Sequence, residues 1–90
     1  MDYRLVVTKT FQKSLKKLDR ADARHILQKL SILEEGSIDV IQKMKHAPRE
    51  LQGLSKIRVG EWRVLLWLDE KSRTITLYRV GHRREIYKNL

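Results

Sequence analysis

A chain of 90 residues, 41% hydrophobic and 34% charged, whose longest unbroken apolar run is Val64 to Leu68, predicts one domain (residues 1–90) in the cytoplasm, with no membrane association. It has no cysteine, which excludes disulfide scaffolds, cysteine nucleophiles and thiolate metal sites, and its three scattered histidines make no metal site, so no metal or cofactor is expected. The net charge of +9 is uneven, eight Lys/Arg against six Asp/Glu in residues 1–42 and twelve against five in residues 43–90, so an anionic partner, nucleic acid or an acidic protein, is expected on the C-terminal half.

Residues 2–8 are rich in β-branched and aromatic types and predict a first strand. Thr8 or Thr10 offers an N-cap for a helix whose Phe11, Leu15 and Leu18 share one stripe. Asp19 offers the next N-cap, and Ala23, Ile26, Leu27, Leu30 and Leu33 form the stripe of a second helix. Gly36 ends it, and Glu34 and Glu35, unfavourable at a helix C-terminus, predict fraying there. With so short a connection the two helices should form an antiparallel hairpin. Residues 37–49 carry little periodicity. Ile38, Val40, Ile41 and Met44 offer anchors for a short turn, and Lys43, Lys45, His46 and Arg49 make the connection basic.

The sheet half is expected from about Glu50 onward. Gly60 and Glu61 lie between two strand-like runs and suit a two-residue II′ turn. Alternation sends Ile57, Val59, Trp62, Val64, Leu66 and Leu68 toward the helices. Lys56, Arg58, Arg63, Leu65 and Trp67 then face outward. The last strand has conflicting parity, with Ile75 and Leu77 on one face and Tyr78 and Val80 on the other. A bulge near Gly81, or burial on both faces, would reconcile them. Arg84 to Leu90 reads as a short terminal helix or a loose tail. The expected fold is α+β: an N-terminal strand, then an antiparallel helical hairpin packed on one face of a mostly antiparallel sheet of about four strands.

Lys56-Ile57-Arg58-Val59-Gly60-Glu61-Trp62-Arg63, followed by Leu77-Tyr78-Arg79-Val80-Gly81-His82-Arg83-Arg84-Glu85-Ile86-Tyr87, resembles the RelE/ParE family of type II toxins, and the element order agrees along nearly the whole chain. The resemblance implies a toxin neutralised by a cognate acidic antitoxin. RelE-like members are mRNA endonucleases acting on the ribosome, whereas ParE-like members inhibit DNA gyrase. A nuclease is the reading preferred here; a gyrase inhibitor and a catalytically silent nucleic-acid-binding domain are the alternatives. By position the resemblance implies catalytic roles for Lys56, Arg58, Arg63, Arg83 and Tyr87. Arginine at position 58, where lysine is usual in the best-known RelE, stabilises charge but cannot act as a base.

Metal-free RNA cleavage by a 2′-hydroxyl needs a proton acceptor, positive charge on the pentavalent phosphate and a proton donor for the leaving oxygen. Arg63 and Arg83 suit the phosphate. Lys56, set among cations, is the candidate acceptor, with His82 as the other possible base. Tyr87 would orient the nucleophile, stack on a base or share in proton transfer. Lys43, Lys45, Arg49, Trp67 and Arg84 are the expected RNA-binding residues. The competing assignments are ordinary ones. Arg58 and Arg63 would pair with Glu61, Glu50 or Asp69, Arg79 with an acidic neighbour, and His25 and His46 would be structural or solvent-exposed. Exposed Leu65 and Trp67 would also offer an amphipathic antitoxin segment somewhere to dock.

Overall fold

The computed structural model describes residues 2–88. Its elements run β1 (Arg4–Val7), α1 (Lys9–Lys16), α2 (Arg20–Glu34), β2 (Gln42–Lys43), β3 (Leu54–Val59), β4 (Trp62–Asp69) and β5 (Thr74–His82), with 3₁₀ turns at Ile38–Val40 and Arg49–Leu51. The strands form one sheet in the order β1-β5-β4-β3-β2. β1 runs parallel to β5 and every other pair is antiparallel. The sheet therefore has five strands where about four were expected. The additional one, β2, is only two residues long and lies in the stretch without periodicity.

Local chemistry sets the helix ends. Thr8 caps α1 by accepting the Phe11 N–H, and Asp19 caps α2 by accepting that of Asp22. α2 is helical as far as Glu34. Beyond it Gly36 N–H donates to Leu33 and Ser37 N–H to Ile32, a Schellman ending that satisfies carbonyls the acidic pair would leave open. Ile26, Leu30 and Leu33 are buried, whereas Leu27, predicted on the same stripe, is 48% exposed. A stripe that includes 23, 26, 27, 30 and 33 is wider than the surface the sheet covers.

The main core joins Phe11 and the α2 stripe to Ile57, Val59, Val64, Leu66, Ile75, Leu77 and Val80. Leu77 and Val80 are three residues apart, so simple alternation cannot put both on one face. The ladder resolves this with a register shift: Leu65 pairs with Arg79 and Leu66 with Leu77, leaving Tyr78 as the extra residue. The bulge predicted near Gly81 thus sits at Tyr78. It is held by Thr8, whose hydroxyl donates to the carbonyls of Leu77 (2.8 Å) and Tyr78 (3.2 Å). Past the last β1 pair, Val7 with Leu77, α1 takes over this edge of β5. There Ser14 Oγ accepts the Val80 N–H at 3.0 Å.

The outward face carries a second, smaller core, and here the sequence expectation needs correction. Leu65 is 0% exposed, packed with Leu54 and Ile86, and Met44, Ala47, Leu51, Trp67 and Tyr78 lie around them. Trp67 is half-buried against Tyr78, and its indole N–H donates to the Gln52 carbonyl at 3.1 Å. Neither residue offers the exposed apolar face that parity alone predicted. Their cover is the chain after β5, where turns over residues 83–88 lay Ile86 across the sheet. Gly81 makes room for it, since a Cβ there would lie 2.9 Å from Ile86 Cδ1. The terminal helix or tail predicted over 84–90 is thus a turn as far as Lys88, and its last two residues lie outside the described ones.

Thr8→Ala removes a helix cap and the hydroxyl that holds the bulge. It should cost about 1–2 kcal/mol of unfolding free energy, with Thr8→Ser keeping most of it, as read by urea denaturation. Equal stability of the alanine and serine variants would contradict this role for the hydroxyl.

Candidate functional site

The β3–β4 hairpin positions the cations. Gly60 adopts φ 60° while Glu61 does not take a positive φ, as a II′ turn requires. The turn brings Arg58 directly opposite Arg63, and the register continues with Lys56 opposite Leu65. The three cations share the outward face, at the border of the Leu54–Leu65–Ile86 core. Among the described residues none of them pairs with a carboxylate: the ion pairs are Glu61 with Arg83 and His82, and Glu85 with Lys88. The alternative pairings of Arg58 and Arg63 with Glu61, Glu50 or Asp69 are not formed. Nor does Arg79 have an acidic partner among the described residues. One amino group of Arg63 is occupied instead by the carbonyls of Gly60 (2.8 Å) and Trp62 (2.9 Å), which anchors its guanidinium to the hairpin.

Beside these strands a recess of about 650 Å³ opens between β2, the loop after it, β3 and the C-terminal turn. Its lining includes Lys43, Lys45, His46, Lys56 and Tyr87. The Lys56 ammonium sits 5.4 Å from the centre of the Tyr87 ring, a cation–π contact, with Tyr87 42% exposed. Four predicted residues, Lys43, Lys45, Lys56 and Tyr87, thus meet around one hollow. His46, set aside from sequence as structural or solvent-exposed, is with them. Its stretch has no periodicity, and only the pairing of Gln42 with Lys56 and of Lys43 with Ser55 brings it to the site.

The other predicted residues lie elsewhere. Arg83 turns to the hairpin: its Nε donates to Glu61 Oε2 at 2.7 Å and its backbone N–H to the Glu61 carbonyl at 2.8 Å. That leaves its two amino groups outside the pair. His82 stands edge-on to Trp62, with centroids 5.6 Å apart. Its Nδ1 accepts the Arg84 N–H (3.2 Å) and its Nε2 lies 3.9 Å from Glu61. It lines a different recess, of about 460 Å³, formed with Lys13, Lys17, Trp62, Arg79 and Glu85. Arg49 and Arg84 are exposed and line neither hollow. Trp67 packs against Tyr78, donates to Gln52 and does not line the recess. Among the described residues no three His, Asp or Glu side chains converge closely enough to hold a metal ion. No helix there is long and apolar enough to cross a membrane.

The family model described as the ParE toxin of the type II toxin–antitoxin system parDE matches residues 5–87. Among solved structures, a chain of the RelBE2 toxin–antitoxin complex from Mycobacterium tuberculosis is 26% identical with a TM-score of 0.77, covering 92% of this chain and 100% of that one. A chain of the RelB–RelE antitoxin–toxin complex from Methanococcus jannaschii is 27% identical, with a TM-score of 0.70 and coverage of 91% and 94%. Escherichia coli YafQ shares the fold alone, at 12% identity and a TM-score of 0.75 over 94% and 98% of the two chains. No curated protein sequence matches the chain. With the family model spanning nearly its whole length, the chain belongs to the RelE/ParE family of toxins of type II toxin–antitoxin systems.

The Glu61 carboxyl is held below its ordinary value, first by the hydrogen bond from Arg83 and next by that guanidinium's charge. A carboxyl depressed by folding adds stability above its unfolded pKa and loses it as pH falls through the folded value. The clamp between hairpin and C-terminal turn should therefore persist through mildly acid pH and release only below the usual carboxylate range. NMR titration of the Glu61 side chain should show a lowered midpoint that Arg83→Gln moves back up. An unchanged midpoint in the variant would remove Arg83 as the cause.

Proposed function

We propose that the chain is an endoribonuclease toxin that cleaves ribosome-bound mRNA without a metal ion, by attack of a ribose 2′-hydroxyl on the adjacent phosphorus. The observation that carries this reading is the cross-strand pair of Arg58 and Arg63, unmatched by any carboxylate among the described residues. Like charges directly opposite one another destabilise a sheet. A bound phosphate reverses that sign and receives forked donors from both sides. Lys56 precedes Arg58 by two residues on the same face of β3 and shares the adjoining recess with Tyr87 and with Lys43 and Lys45, which continue the basic surface along the path of an RNA backbone.

In this reading Arg58 and Arg63 carry the charge that builds on the phosphate in the transition state. The free amino groups of Arg83 add to it from the hairpin side. Tyr87, held over Lys56, orients the nucleotide. The partner in the resting cell is an acidic antitoxin that covers these cations. The M. tuberculosis and M. jannaschii structures, which are complexes of toxin with antitoxin, support that assignment.

A second reading, a gyrase inhibitor without nuclease chemistry, is favoured by two observations. The family model that matches is that of ParE, and Arg83 is paired with Glu61 rather than turned into the recess.

Mapping transcript 5′ ends after brief induction separates the two. The wild type should produce new ends inside translated frames. Arg63→Ala should lower cleavage about 10²- to 10³-fold, as expected for loss of one transition-state donor, with the circular dichroism spectrum unchanged. Growth arrest with intact transcripts and DNA damage would replace the nuclease reading with the gyrase one.

A further inference from the structure

We propose that His46 is the proton acceptor of the cleavage step, an inference that rests on the nuclease reading of the same recess. Lys43 and Lys45 come from β2 and the loop after it, Lys56 from β3 and Tyr87 from the C-terminal turn. Ammonium and guanidinium groups only donate, and a phenol is a donor at neutral pH. Among the described residues no carboxylate lines the recess. Of those residues, the imidazole of His46 is the side chain of a type that ordinarily accepts a proton near neutrality.

The other histidines are placed elsewhere. His82 spends Nδ1 on the Arg84 N–H, turns Nε2 toward Glu61 and lines the other hollow. His25 is exposed on α2, which packs on the inner face of the sheet and contributes no residue to the recess. His46 is exposed, and among the described residues its ring makes no hydrogen bond that would have to break before it acts. The loop holding it is tied down at both ends: Met44 N–H donates to the Leu54 carbonyl, and Gln52 donates to the carbonyl of Ala47.

The step balances with groups already present. The neutral imidazole takes the 2′-hydroxyl proton as the O2′–P bond forms. The P–O5′ bond breaks, and the departing O5′ receives a proton from the Lys56 ammonium. The products are a 2′,3′-cyclic phosphate and a 5′-hydroxyl. The imidazolium then releases its proton to solvent and the lysine regains one, so no co-reactant is consumed.

The test is single-turnover cleavage of an mRNA held on purified ribosomes between about pH 5 and 8, the range in which a histidine changes charge. Wild type, His46→Gln and His82→Gln are compared. Wild-type cleavage should fall toward the acid end. His46→Gln should be about 10²- to 10⁴-fold slower, the usual contribution of one general base, should lose the acid limb, and should be partly restored by added imidazole. His82→Gln should keep the wild-type profile. Wild-type rate in His46→Gln, or a slow variant with the acid limb intact, would overturn the assignment while leaving the nuclease reading in place. A wild type that cleaves nothing on the ribosome would overturn both.

Discussion

The placement of the site depends on one hydroxyl. Thr8 ends β1, caps α1 and donates to both carbonyls of the bulge at Tyr78. Without the extra residue in β5, Leu77 and Val80 would face opposite ways and the helices would lose part of their apolar floor. With it, Val80 rejoins the main core, and Gly81 and His82 arrive opposite Arg63 and Trp62. That phase fixes where the chain leaves the sheet. It turns at Arg83 beside Glu61, lays Ile86 on Leu65 and brings Tyr87 to Lys56. A contact between residues about 70 apart in sequence therefore decides the geometry of the recess.

A chain this short has to use both faces of its sheet. The inner face is the main core, while the outer face is divided. Leu54, Leu65 and Ile86 form an apolar patch, and the cations line its border toward the hairpin and the β2 edge. This arrangement bears on electrostatics as well as stability. The apolar patch adjoins Lys56 and Tyr87, and charge acts more strongly beside such a wall than on a fully open surface. The C-terminal turn is common to both functions, since Ile86 covers the patch while the next residue lines the recess.

The sequence made the local features readable and left the nonlocal ones hidden. Alternation in 56–68 placed the Arg58–Arg63 face, the glycine at 60 marked its turn, and Thr8 and Asp19 marked the helix starts. Each of these rests on neighbours within a few residues. Leu65 failed because parity tells which face a side chain takes but not what covers it, and its cover is Ile86, 21 positions on. The bulge was anticipated but misplaced, because the hydroxyl that fixes it comes from β1. The place of His46 in the recess was not readable because β2 is two residues long and exists only by pairing with β3.

Glu61 explains how the remaining charges are divided. It is the acidic residue of the hairpin turn, and it takes Arg83 by a 2.7 Å bond with His82 3.9 Å away. Those two positive groups are thereby drawn to the turn, away from the recess. Among the described residues Arg58 and Arg63, next to them in the ladder, receive no such partner, although Glu61 lies within two residues of Arg63 along the chain. A fold optimised for stability alone would pair that acid with the opposed arginines, since like charges directly opposite one another across a ladder are destabilising. Instead the acid locks the C-terminal turn in place and the arginines stay open. The site keeps its repulsion where an anion can relieve it, and uses its one nearby carboxylate to hold the wall on which Tyr87 stands.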